Sequence, residues 1–443
     1  MNIFRAAASQ VDLEPIIGSW LTGFGLRVYP SDGQHDPLLA KAVLLEDGAT
    51  QIAIVSCDLI GIPAKTIAKL RARIAEHNSI PANNIVISCT HTHSAPASMP
   101  FRGVLGYINH HWWSDVQDKI VALVAGLVAQ LQPATLRHGT SQVEGISYNR
   151  QDQTHPIDRT LTAIAIDHAK GARMATLVNF ALHPVTLSHG NLKISGDVQG
   201  EAMRRTQQAQ GGIALYLQGA CGDVNPTVDL KRGWGNGTFD DVTEMGTILA
   251  QGAADALQNT VGLDRVQLRV AQQIIELPLD APPTPAQIET LIAQFESDLR
   301  KARDEDHIAN EGIALTYLRW AAEVKGAIAN GSLPSVAPIE VWLAAINDLR
   351  LVAVPLEPYS DIGLDFKHAL LPLTGVFMGY ANGLLGYCAA DWAKEQGGYG
   401  PDDACRWFPE QLTPIARGAA QLVTDAAVRL AQPYQPMGNE STD

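Results

Sequence analysis

Short runs of apolar residues alternate with longer stretches of helical periodicity along most of this chain. Residues 51–57 (QIAIVSC) read as a buried strand, and residues 64–77 as a helix with Ile67, Leu70 and Ile74 on one face. Residues 84–89 (NIVISC) predict the next buried strand. Ser114 and Gln117 have capping-box spacing, which predicts a helix from there to about Leu131. Further strands are expected at 161–166, 175–181, 213–218, 264–278, 349–354 and 375–380, and another helix at 239–258. Between the strands at 264–278 and 349–354 the composition turns to helix formers and charge. Segments 286–303 and 308–330 predict a helical hairpin, opened by PPTP at 282–285 and closed by Gly331, Pro334 and Pro338. The expected fold class is α/β: a layered domain with a mixed β-sheet flanked by helices, plus this helical-hairpin insertion. The expected organisation is one domain over 1–432, with the insertion at about 282–335 and a frayed polar tail at 433–443.

Composition narrows the class. Hydrophobic residues make up 46% and charged residues 18% of the 443, which suits a packed globular protein and excludes wholesale disorder. The net charge of −14 argues against nucleic acid or anionic membrane as a main partner. No apolar run approaches the ~20 residues of a membrane span, so no stable membrane association is expected. The cysteines at 57, 89, 221, 388 and 405 are odd in number and widely spaced, without a CxxC pair. That pattern suits a reducing compartment. The N-terminus shows no basic flank followed by an apolar core, so no signal peptide is expected. The chain reads as cytoplasmic, with a small-molecule substrate; a homo-oligomer remains open.

Chemistry collects just beyond the strand ends. Thr90-His91-Thr92-His93-Ser94 follows 84–89, and His183-Pro184 follows 175–181. Gly222-Asp223-Val224-Asn225-Pro226 follows 213–218, Pro355-Leu356-Glu357-Pro358 follows 349–354, and Asn382, Gly386 and Tyr387 follow 375–380. In α/β sheets ligands bind beyond the carboxyl ends of strands. Two histidines and a carboxylate are the usual side chains around a catalytic zinc, and His91, His183 and Glu357 can supply them from three strands. In an extended segment, the side chains of His91 and His93 would point the same way, so that one ligates while the other works nearby. A single histidine such as His138 or His307 has a surface or structural role as its default. Asp58 and Asp197 are expected either to orient the histidines or to cap turns. There is no GxSxG elbow, Walker A motif or strand-following GxGxxG.

The blocks HTHSAP (91–96), NFALHPVTLSHGNLKISGDVQG (179–200), GDVNP (222–226), PLEP (355–358) and YANGLLGY (380–387) together resemble the neutral (alkaline) ceramidase family, zinc amidases of the ceramide N-acyl bond. Their order and rough spacing match from about residue 5 to 405. The resemblance implies one zinc per chain on His91, His183, Glu357 and Tyr387. It places His93 and Arg150 beside the scissile carbonyl and makes Tyr399 a second active-site tyrosine. Where the family has an essential serine, this sequence has Asn225, which implies a different bound group. Family members are also secreted or membrane-facing and carry a C-terminal β-sandwich domain; neither feature is read here. The expected function is therefore zinc-dependent hydrolysis of an N-acyl amide in a small or soluble substrate. A zinc esterase or lactonase and a non-catalytic binding protein of the same fold are the alternatives.

Overall fold

A computed structural model describes residues 3–105, 107–258, 260–263 and 265–432. The polar tail expected at 433–443 lies outside them. Among the described residues, nine strands form one mixed sheet and four form a second. Side chains from both sheets meet in a shared core, with Ile54, Val86 and Leu217 from the first packed with Trp342, Leu351 and Val376 from the second. Helices cover the outer faces. Helix Ala64–His77 buries Ile67, Leu70 and Ile74, as its periodicity predicts. Each such side chain contributes roughly 1.5–3 kcal/mol on burial, and Leu70→Ala should cost about 2–5 kcal/mol. No described helix is long and apolar enough to cross a membrane.

The site is positioned by three parallel strand pairs, each joined by a crossover helix. Gln51–Cys57 pairs with Ile85–Cys89 through helix Ala64–His77. Arg173–Phe180 pairs with Ile213–Gln218 through helix Asp197–Gln210. In the second sheet, Leu349–Ala353 pairs with Thr374–Met378 through helix Ser360–Ala369. A parallel pair requires such a crossover, and it brings both carboxyl ends to the same edge. Backbone hydrogen bonds then tie the three edges together. Cys89 N donates to Tyr380 O (3.0 Å), Gly379 N to Gln218 O (3.1 Å) and Gly219 N to Phe180 O (2.9 Å).

Two local expectations change. The helix expected from Ser114 begins one turn earlier, at His110, and gives way to a 3₁₀ turn after Leu127. Asn109 is the cap, accepting from Trp112 N, and the first turn is anchored where Trp112 Nε1 donates to Leu13 O at 2.8 Å. Pro338 does not close the hairpin. It lies inside strand Val336–Ile346, opposite Glu276, on a stretch bonded to a second strand only from Trp342 onward, so its missing N–H is tolerated.

The insertion itself consists of helices Pro285–Asp304 and Ile308–Ala329. Thr284 and Gln287 form a reciprocal capping box, with Pro285 in the first turn. The pair has a small core of its own, built on Ile288, Phe295, Trp320, Ala321 and Val324. It is clasped to the domain by Arg406, whose guanidinium lies 4.8–5.4 Å from the rings of Phe295, Tyr317 and Trp320. Arg102 adds a second link, donating to Glu323 and to the carbonyls of Cys405, Arg406, Phe408 and Pro409. The insertion's two ends leave adjacent positions of an antiparallel ladder, Pro278 facing Val336.

Candidate metal centre and substrate pocket

His91 does not continue its strand. The strand stops at Cys89, and His91 takes a left-handed backbone (φ 69°), held where its N–H donates to Leu59 O at 2.9 Å. Such a conformation is costly for a side-chain-bearing residue and concentrates at functional sites. The extended geometry expected for His91-Thr92-His93 is therefore replaced by a turn. The two Nε2 atoms still come to 3.3 Å, because the turn folds the rings toward one another. His91 Nδ1 meets the carbonyl of Ile60 at 2.6 Å. A carbonyl can only accept, so Nδ1 carries the proton and Nε2 presents its lone pair. His183 repeats the pattern: Nδ1 faces Cys221 O at 3.2 Å, and its buried Nε2 has no hydrogen-bond partner.

These three imidazoles, all buried, have ring nitrogens within 4.8 Å of one another and can hold a metal ion. Glu357 joins from just beyond strand Leu349–Ala353 of the second sheet, its Oε2 3.3 Å from His91 Nε2, buried and without a hydrogen-bond donor. The unpartnered His183 Nε2 sits in the histidine cluster and the unpartnered Glu357 Oε2 faces His91 Nε2, an arrangement of buried acceptors that fits a bound cation. Tyr387 is the register neighbour of Glu357 on a short parallel pair. Its Oη accepts from Arg150 Nη2 at 3.0 Å, and Arg150 also donates to Gly222 O at 2.6 Å and approaches Asn225 Oδ1 at 3.4 Å. Burial first, and then the neighbouring imidazoles and arginines, hold His93 and His183 well below the usual histidine range, which favours the neutral form of both. Burial raises the Tyr387 phenol, with Glu357 adding to the effect.

A cavity of about 600 Å³ opens onto this cluster. Six of the eight residues singled out in the sequence line it: His93, Arg150, His183, Asn225, Tyr387 and Tyr399. His91 and Glu357 stand behind them. Tyr399 is half exposed at the rim, its ring 5.8 Å from that of Tyr387. Asn225 turns Nδ2 to Asp229 (2.8 Å), leaving Oδ1 on the Arg150 side. Apolar residues line the same cavity, among them Leu105, Ile313, Trp407, Phe24 and Trp234. Ile313 belongs to the hairpin insertion.

Asp58 and Asp197 do not reach the histidines. Asp58 accepts from Leu39 N, and Asp197 from the backbone of Leu187 and Val198, so both brace turns. One structurally important residue of the site was not singled out in the sequence. Asp223 accepts from Asn149 Nδ2 and from both the N–H and hydroxyl of Ser360, locking the 222–226 turn to the helix after Glu357. Burial pushes the Asp223 carboxyl up to about 6. The position of Asp223 inside GDVNP was a signal; its partners were not legible.

Residues 13–276, more than half of the chain, match the model of the N-terminal part of the neutral/alkaline non-lysosomal ceramidases. The chain belongs to this family. Neutral ceramidase of Pseudomonas aeruginosa is 25% identical over 254 residues, covering 51% of this chain and 38% of that protein. Neutral ceramidase of Mycobacterium tuberculosis is 22% identical over 441 residues, 83% of this chain and 68% of that one. The chain therefore spans well under half the length of the Pseudomonas relative and about two thirds of the mycobacterial one. The crystal structure of the Pseudomonas neutral ceramidase superposes with a TM-score of 0.69 at 20% identity, covering 97% of this chain and 75% of that chain. The fold of this family member is thus the neutral ceramidase fold, with the mixed sheet and flanking helices that the strand–helix alternation predicts.

Proposed function

We propose that this ceramidase-family chain is a zinc-dependent hydrolase that cleaves the N-acyl amide bond of a small or soluble substrate. The observation that carries the reading is the buried cluster of His91, His93 and His183, with the unpartnered acceptors His183 Nε2 and Glu357 Oε2, against a substrate-sized cavity. In the proposed assignment these residues and Tyr387 hold the ion. Zinc in such a setting supplies a Lewis acid and lowers the pKa of bound water to about 7.

Around it the chain's own groups divide the remaining work. Arg150 presents a half-buried guanidinium to the cavity, where a developing oxyanion is stabilised by fixed donors. His93, neutral and lining the same wall, takes a proton or delivers one to the leaving amine. Tyr399 closes the rim beside Tyr387. The apolar wall at Leu105, Ile313 and Trp407 suits the acyl half, and the Arg150–Asn225 side suits a polar amine half. Asn225 offers an amide where the family resemblance has a hydroxyl, which supports a bound group other than that of ceramide. The cytoplasmic setting we propose rests on five free, buried cysteines.

The test is kcat/KM of the zinc-loaded protein on N-acyl amino acids, N-acyl sugars, lactones and short-chain ceramide. Turnover of a soluble N-acyl amide is expected to exceed that of ceramide. Efficient ceramide hydrolysis would overturn the substrate assignment, and stoichiometric zinc without any turnover would overturn the hydrolase.

A further inference from the structure

Arg27 is a buried cation with no acidic partner. It is 2% exposed, and among the described residues no carboxylate lies within 4 Å of its nitrogens. All its hydrogen bonds go to backbone carbonyls from three separate segments. Nε donates to Asn191 O (3.1 Å), Nη1 to Thr22 O (3.1 Å) and His93 O (2.9 Å), and Nη2 to Ser188 O (3.2 Å). Burying an arginine without a counter-charge is expensive. The structure devotes that cost to joining the 22–28 turn, the histidine segment and the 188–191 loop.

The join bears on one side chain. Gly23 (φ 101°) lies so close to the His93 imidazole that a Cβ at this position would overlap Nδ1 and Cγ. The Phe24 ring meets the same imidazole edge-on at 5.0 Å, and the Arg27 guanidinium lies over the Phe24 ring at 5.1 Å. The His93 ring is thereby gripped by Gly23 and Phe24, while its own carbonyl is held by the guanidinium that anchors that turn.

We propose that Arg27 is a positioning residue, fixing the His93 imidazole for proton transfer by clamping the Gly23–Phe24 turn against it. The inference rests on the role given to His93 above. Arg27 touches no reacting atom; it acts by holding the ring in register, and a misplacement of about 1 Å can cost about 10²-fold in rate.

The test is a double-mutant cycle on the zinc-loaded protein with the best substrate of the panel. Arg27→Met should lower kcat by about 10²-fold with KM little changed and zinc retained, and Arg27→Lys should recover part of the loss. Arg27→Met combined with His93→Ala should be no slower than His93→Ala alone, because both changes remove one function. Multiplying losses would mean that Arg27 serves the structure at large, and would overturn the proposal. Gly23→Ala, which pushes on the ring and leaves Arg27 intact, should reproduce the kcat defect and covers the case in which Arg27→Met does not fold. A second readout does not depend on turnover. The ring NMR signals of His93, assigned with His93→Ala, should shift or broaden in Arg27→Lys and Gly23→Ala, while exposed His77 and His307 stay unchanged. An unmoved His93 signal would refute the clamp even for a protein that hydrolyses nothing on the panel.

Discussion

Glu357→Gln should change the sign of its effect on stability according to whether zinc is present. Glu357 Oε2 is buried, accepts no hydrogen bond, and lies 3.3 Å from His91 Nε2. A buried polar group left unsatisfied costs about 1–3 kcal/mol, and more when charged. Glutamine has nearly the same shape, removes the charge, and brings an N–H that can donate to His91 Nε2. The metal-free variant is therefore expected to be more stable than metal-free wild type by about 1–3 kcal/mol. With zinc the order reverses. At free metal about a thousand times Kd the wild type gains about 4.1 kcal/mol, whereas a neutral amide is a poor zinc ligand and the variant gains little. Thermal melts of chelator-treated and zinc-loaded samples measure both differences. Domains of 150–250 residues move in Tm by about 2–4 °C per kcal/mol, and longer chains by less. The expected shifts are a few degrees, in opposite directions. A variant that melts below wild type without metal would refute the unsatisfied carboxylate, and one that gains as much from zinc would refute its role as a ligand.

His93→Ala should retain the zinc-induced rise in Tm and lose about 10²–10⁴-fold in kcat; loss of the metal response would move His93 among the ligands. Asn225→Ser should raise kcat/KM on short-chain ceramide relative to the best soluble amide, and an unchanged ratio would show that this turn does not set substrate choice. Burial pushes the Asp197 carboxyl up to about 6, from 3.8. The folded state then binds this proton more tightly than the unfolded state does, so Asp197 favours folding below pH 4 and loses that contribution as pH rises through about 6. By denaturant titration, wild type should lose up to about 3 kcal/mol relative to Asp197→Asn between pH 4 and pH 7.5. A gap independent of pH would show that the carboxyl is not raised.

Strand ends were the most legible feature of the sequence. Short apolar runs mark the central strands, and the residues after them meet because parallel pairing brings their carboxyl ends to one edge. Glu357 and Tyr387 are adjacent for the same reason. The strands Arg5–Asp12, Leu39–Glu46 and Val336–Ile346 escaped notice because they interleave polar, small or proline residues with the apolar ones. The start of helix His110–Leu127 is set by the side chain of Asn109 and by where Trp112 docks, a tertiary anchor that overrides the local capping signal at Ser114. Arg27 left no trace at all. Its partners are backbone carbonyls, which every residue possesses, so no spacing of residue types can announce it.

The hairpin's attachment makes it a replaceable cassette. Since Pro278 and Val336 face each other on neighbouring strands, and Leu279 N still bonds Ser335 O at 2.9 Å, excision needs only a short β-turn to bridge the gap. No strand would have to change register. Because Ile313 forms part of the cavity wall, hairpins of other length or composition could be exchanged at this one seam to reshape that wall, while the histidines, set just beyond strand ends of the first sheet, stay where they are. In recombination or directed evolution, breadth of substrate and integrity of the histidine cluster would then be separable traits, inherited on different pieces of the chain.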